Sequence, residues 1–213
     1  MEIAQAKNYL GQLRAYSFVD MTLLCMTLST STIRVAGTLL LWLGFLVYLE
    51  GMHRDSGRLL WPRWVAPLLF ATGAALTGSW LVAPFIIMCH IYALKKELVV
   101  VGILGPLLNG LLKVVMVLPL AMENERGWFI LSLVMVAMTL RNFAGDLRDV
   151  QKDRQANTIT PAVWLGMRRD VRWVYPSALA ATSTLWWTLG DESVWLLGAV
   201  YAIQAVTYRL TPR

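Results

Sequence analysis

Histidine and cysteine are scarce in this chain of 213 residues, with two of each. The cysteines, Cys25 and Cys89, lie in separate apolar segments without CxxC spacing. That excludes a disulfide framework and a structural zinc site of the usual ligand pattern, so both read as buried thiols. The histidines, His53 and His90, are far apart in sequence. Charge is scarce too: charged residues make up 15% of the chain against 57% hydrophobic, and the mean hydropathy is +0.56. Ordinary soluble domains carry about 25% charged residues, so the composition is that of a membrane protein. The N-terminal stretch MEIAQAKNYLGQLRAY is polar and lacks an apolar h-region, so no cleavable signal peptide is expected. Neither an internal repeat nor a pair of interrupted apolar segments stands out, which leaves little support for a transporter.

What the chain has in abundance is apolar sequence. A bilayer core needs about 20 mostly apolar residues per helix. Eight segments qualify, over roughly 15–33, 35–53, 64–79, 80–95, 98–121, 127–145, 173–190 and 193–210. The third and fourth are short and share one apolar stretch, with a tight reversal expected around Gly78, Ser79 and Pro84. The fold class expected is all-α: a polytopic membrane bundle of about eight transmembrane helices, forming one domain over 1–213. With eight spans both termini share one side. Every lysine and arginine lies on that side except Arg34, Arg126 and Lys113, the last inside a span. The positive-inside rule then places both termini in the cytoplasm. The same asymmetry accounts for the net charge of +6: the basic loops face anionic headgroups, so membrane lipids rather than nucleic acid are the expected partners.

The stretch RNFAGDLRDVQKDRQANTITPAVWLG, Arg141 to Gly166, follows the apolar run LSLVMVAMTL. Asp146, Asp149 and Asp153 fall at i, i+3 and i+7, and Asn142 extends the stripe one turn earlier. Clustered carboxylates repel one another unless a positive partner sits among them. Mg²⁺ is the simplest such partner, because it takes carboxylate oxygens and keeps water and substrate phosphate as further ligands. The stripe therefore suggests a site for a lipid-soluble substrate with a diphosphate head. The same spacing also fits a solvated helix face on which Arg148, Lys152 and Arg154 make surface pairs.

At these residues the chain resembles the UbiA superfamily of intramembrane prenyltransferases. Its second aspartate-rich motif reads approximately REIxKDxxDxxGDxxxGxxTLPxxxG in one branch. Here Arg141 keeps the arginine, Asn142 replaces the glutamate, the three aspartates are kept, and Thr160, Pro161 and Gly166 approximate the tail. The stretch Ile91 to Gly110 is similar to the family's Tyr-x-x-x-Lys segment, with Tyr92 and Lys95 or Lys96 as counterparts. The first motif, near NDxxDRxxD, corresponds to Leu49–Gly57. Arg54 keeps the motif's arginine and Glu50 is a conservative substitute for its first aspartate, while Leu49, His53 and Gly57 depart from it and Asp55 is out of register.

The resemblance implies a Mg²⁺-dependent enzyme acting on a prenyl diphosphate. Asp146, Asp149 and Asp153 would hold metal, with Glu50 and His53 as further ligands, and the four carboxylates would carry the catalysis. Arg54, Lys95, Arg141 and Asn142 would contact the diphosphate. A prenyltransferase acting on a membrane-embedded acceptor, a terpene cyclase using the same ionisation, and a non-catalytic prenyl- or lipid-binding protein all remain open. Ionisable or polar groups within the spans, Asp20, Asn109, Lys113 and His90, are further candidates. Most of the ten tryptophans lie near span ends, where the residue is commonly an interface anchor.

Overall fold

The computed structural model describes residues 13–52 and 61–210. Among these there are eleven α-helices, one 3₁₀ turn and no strand. In chain order the helices are α1 (Ala15–Leu28), α2 (Thr32–Met52), α3 (Val65–Thr77), α4 (Val82–Ala93), α5 (Val99–Ile103), α6 (Gly105–Ala121), α7 (Gly127–Arg148), α8 (Val150–Gln155), α9 (Pro161–Trp164), α10 (Val174–Gly190) and α11 (Val194–Leu210). The all-helical expectation is met, and each of the eight apolar segments is largely helical. Two helices, α2 with 21 residues and α7 with 22, are long and apolar enough to cross a membrane; α1, α3 and α6 are apolar but shorter.

The segment 98–121, expected as one helix, is two. Leu104 leaves helical geometry at φ −82° and ψ 0°. Pro106, in the first turn of α6, has no N–H to continue the ladder from α5. The expected reversal between the third and fourth segments occurs at Gly78. This residue closes α3 in the left-handed conformation at φ 61° and donates to the Ala74 carbonyl at 3.0 Å.

The chain forms two compact units, 1–82 with 183–213, and 83–182, and the division falls within α10. In the first unit α2 and α3 meet at bare backbone. A Cβ on Gly73 would lie 2.8 Å from the Gly37 carbonyl oxygen, and one on Gly37 would lie 2.9 Å from the Thr77 nitrogen. Small residues that let helix backbones approach this closely are characteristic of helix packing in lipid. α1 and α11 meet through an edge-to-face contact of Tyr16 and Tyr208. A buried polar chain also holds this unit together. Gln204 Nε2 donates to Ser183 Oγ at 2.7 Å, and Ser183 Oγ donates to Asp20 Oδ1 at 2.8 Å.

The second unit is built on the α6–α7 hairpin. Its connection is an Asn turn in which Asn124 accepts Arg126 N–H on its side chain and Gly127 N–H on its carbonyl. Leu112, Met116, Val117 and Leu120 of α6 and Ile130, Val134 and Met138 of α7 are buried.

Candidate functional site

The end of α7 and the short helices after it gather the polar residues of the second unit. α7 stops at Arg148, so the aspartate stripe is not carried on one continuous helix. Asp149 has φ −110° and ψ 19°, and its N–H is shared between the Gly145 and Asp146 carbonyls. The cause lies about twenty residues downstream. The Leu147 carbonyl accepts Val171 N–H at 2.9 Å, and Gln151 N–H donates to the Asp170 carboxylate at 2.9 Å. The next rung of the ladder is thereby replaced by bonds to Asp170 and Val171, and Asp170 caps α8 from outside.

Asp146 is 6% exposed, and its Oδ2 has no hydrogen-bond partner. One turn earlier, Asn142 donates from Nδ2 to the Tyr92 hydroxyl at 3.0 Å, while its Oδ1 is buried without a partner. Tyr92 lies in the last turn of α4, which ends at Ala93, and the 3₁₀ turn Leu94–Lys96 follows at once. That turn brings Lys95 Nζ to 5.3 Å from the Tyr92 ring centroid. Lys95 is half-buried and is the strongest positive influence on both Asp146 and Asp153; Lys96 is exposed.

Asp153 is on α8. Asn157, at φ 52°, ends that helix in the left-handed region, and Thr158 N–H returns to the Asp153 carbonyl at 2.8 Å. The backbone then passes over Gly102. A Cβ there would lie 2.4 Å from the Ile159 carbonyl oxygen and 3.0 Å from the Lys95 carbonyl oxygen. Glycine at 102 thus lets the 158–160 segment lie against the Lys95 turn, with Thr158 and Thr160 both buried. Burial pushes the Asp153 carboxyl above its ordinary range. Lys95 opposes the shift, Asp149 adds to it, and the Thr160 hydroxyl and Lys152 draw it back.

Asp149 is differently placed. Arg148 Nε donates to Asp149 Oδ1 at 2.8 Å, and Arg148 Nη2 is in close contact with Asp149 Oδ2. The same guanidinium lies 4.4 Å from the Tyr175 ring centroid. Arg141, buried, donates to Thr182 Oγ1 at 3.2 Å. In the first unit Glu50 is buried and accepts an ion pair from Arg14 at 3.2 Å. His53 and Arg54 lie outside the described residues. Of the other candidates, Asp20 and Lys113 are buried, and His90 is exposed.

The structure therefore brings Lys95, Asn142, Asp146 and Asp153 together and engages Asp149 with its neighbour. Among the described residues no three His, Cys, Asp or Glu side chains are gathered closely enough to hold a metal ion. The donor chemistry that remains is two carboxylates with an amide oxygen, and this fits Mg²⁺, which is held by one or two carboxylates plus water and substrate phosphates. Sequence reasoning missed the Arg148–Tyr175 stack, the Asp170 cap and the Gly102 seat. Only the cap had a local signal, an aspartate in the loop after α9. Comparison of the chain with protein-family models, with curated proteins and with solved structures gives no match.

Proposed function

We propose that this protein is an intramembrane enzyme that acts on a prenyl diphosphate, and that its site is formed by Asp146, Asp153, Asn142, Lys95 and Tyr92. The observation that carries the reading is the pair of buried, unpartnered oxygens, Asp146 Oδ2 and Asn142 Oδ1, beside a half-buried lysine at the end of a 22-residue apolar helix. Buried polar atoms are normally satisfied, and one that is not calls for an explanation, of which an ion site is one. A buried carboxylate without a hydrogen-bond partner asks for a cation. A lysine facing it supplies charge for an anion.

The membrane setting is part of the proposal. The eight helical segments cross the bilayer, both termini face the cytoplasm, and the aspartates lie at the cytoplasmic end of α7. The exposed tryptophans support this arrangement. Trp64 and Trp173 stand at helix ends assigned to the cytoplasmic side, and Trp80, Trp128 and Trp195 at ends assigned to the other side, all more than 60% exposed.

Asp146 and Asp153, with the amide oxygen of Asn142, would hold Mg²⁺, and the ion when bound offsets the negative charge of the departing diphosphate. Lys95 binds a phosphate oxygen. Tyr92 holds the Asn142 amide and keeps the Lys95 ammonium over its ring. The apolar surroundings of α6 and α7 keep water from the reacting carbon. The allylic group goes to a membrane-embedded acceptor; attack within its own chain is the cyclase alternative.

A second reading, a prenyl- or lipid-binding protein without catalysis, is favoured by the engagement of Asp149 with Arg148. Incubating membranes that contain the protein with labelled farnesyl and geranylgeranyl diphosphate and Mg²⁺ separates the readings. Transfer to an acceptor supports the transferase, and a cyclic product without an acceptor supports the cyclase. Absence of turnover in the presence of aromatic acceptors, with diphosphate binding retained, moves the assignment to the non-catalytic protein. Equal signals from an Asp146→Asn control would rule out this site.

A further inference from the structure

Arg148 was expected only as a surface partner for the aspartates, yet its surroundings are those of an anion-binding group. Residues i and i+1 on a continuous helix point in different directions and do not pair. Here the break at Asp149 folds the carboxylate back onto the guanidinium of the preceding residue. Both Asp149 oxygens meet the edge of Arg148 formed by Nε and Nη2. That fork matches the oxygens of a phosphate as well as it matches a carboxylate. The guanidinium is steadied from one face by Tyr175, whose ring lies over Gly145 at van der Waals distance from a Cβ position there. The pair is part-exposed at 17% and 29%, so the fork is within reach of a ligand. Arg148 acts electrostatically on Asp146, whose Oδ2 is unpartnered, and Asp149 acts on both Asp146 and Asp153.

We propose that Arg148 is a diphosphate-binding residue whose fork is filled by Asp149 until the ligand arrives, and that the exchange frees Asp149 to become the third carboxylate at the cation. The proposal rests on the prenyl-diphosphate reading and deepens it. It explains why the three closely spaced aspartates are not gathered into one cluster: one of them is standing in for the anion. The two ligands then assist each other. Diphosphate releases a cation ligand, and by reciprocity the cation, by drawing off Asp149, opens the fork to diphosphate.

The test uses the full chain purified in detergent, with Mn²⁺ binding followed by electron paramagnetic resonance. Radiolabelled inorganic pyrophosphate uptake is measured separately, without divalent cation. Arg148→Gln is expected to change the two affinities in opposite directions, with Mn²⁺ binding about tenfold tighter and pyrophosphate binding about tenfold weaker. Loss of a nearby positive charge would by itself tighten Mn²⁺ binding, so the deciding measurement is the same substitution in an Asp149→Asn background. The gain is expected to shrink there to the part due to charge alone; a gain of undiminished size overturns the exchange. Arg148→Lys keeps the charge and loses the fork, and it is expected to show the same opposite changes at smaller size. Unchanged pyrophosphate affinity in both variants also overturns the proposal. Failure of the underlying reading looks different: Mn²⁺ binding to the unmodified protein would be indifferent to Asp146→Asn.

Discussion

Each unit holds a polar cluster around a buried carboxylate, and the two clusters differ in whether their hydrogen bonds close. In the first unit Asp20, Ser183 and Gln204 come from three helical segments and form a continuous chain of donors and acceptors. In the second unit Asn142, Asp146, Asp153 and Lys95 come from α7, α8 and the 3₁₀ turn, and Asp146 Oδ2 and Asn142 Oδ1 lack partners. Each cluster contains a buried carboxylate, Asp20 in the first and Asp146 in the second. A closed network specifies packing, because every member is already satisfied. An open one keeps coordination in reserve, and that reserve is what makes the second cluster the candidate site. Burial of charge alone does not separate the two.

Substitutions should affect the two clusters in contrary ways. The largest effect expected is on activity: Asp146→Asn lowers prenyl diphosphate turnover about 100-fold or more, by analogy with the loss of a charge-stabilising group elsewhere. The same substitution leaves the melting temperature unchanged or raises it, because it neutralises a buried carboxylate that has no hydrogen-bond partner on Oδ2. In the first unit, Ser183→Ala should destabilise the protein by about 1–3 kcal/mol, since it removes the link between a buried carboxylate and a buried amide. Turnover per folded molecule should change little. A substitution at Ser183 that lowered turnover without lowering stability would erase the distinction.

Smaller effects sharpen the second cluster. Lys95→Ala should weaken pyrophosphate binding about tenfold, the size of a charge-assisted contact, while its exposed neighbour gives Lys96→Ala little effect. Equal losses in the two binding assays would show that the 3₁₀ turn does not select between them. The pH dependence should be the mildest signal. The Asp153 carboxyl is raised by burial, so its proton competes with a divalent cation at higher pH than at an ordinary aspartate. Mn²⁺ affinity should therefore begin to fall, as pH is lowered, above the usual aspartate range near about 3.9. Folding stability responds with the opposite sign. The folded state holds this proton more tightly than the unfolded chain, so the group's contribution is lost as pH rises through its raised value. Asp153→Asn should weaken both dependences without abolishing them, since the buried Asp146 remains at the site, as titration of Mn²⁺ binding and thermal melts would show.

The helical segments are legible in the sequence because apolar runs of this length leave the backbone no alternative partners in an apolar surrounding. The neighbourhood of Asn142 and Asp146 is legible for a similar reason, since both lie on one face of α7 and spacing alone aligns them. What lies beyond Arg148 is not, because it depends on residues distant in the chain. The helix ends there through Asp170 and Val171, and no property of Asp146, Asp149 and Asp153 announces that. The Glu50–Arg14 pair spans 36 positions, and two charges so far apart carry no mutual signal. Gly102 reads as one more small residue in an apolar stretch until the Ile159 carbonyl is placed against it. The split of 98–121 was readable in principle, since a Gly-Pro pair inside an apolar run is a known interruption.

On the proposed membrane arrangement, the length of α7 fixes more than a crossing. Trp128 and Asp146 are separated by about 27 Å at the rise of an α-helix, close to the roughly 30 Å thickness of a hydrocarbon core. A tryptophan anchored at one boundary would put the carboxylate at the other, at the level where a lipid carries its polar head. A prenyl diphosphate lying in the leaflet would already have its charged end at that depth and its tail alongside the helices. It would reach the site by sideways diffusion within the leaflet, and its effective concentration would be counted per lipid rather than per litre.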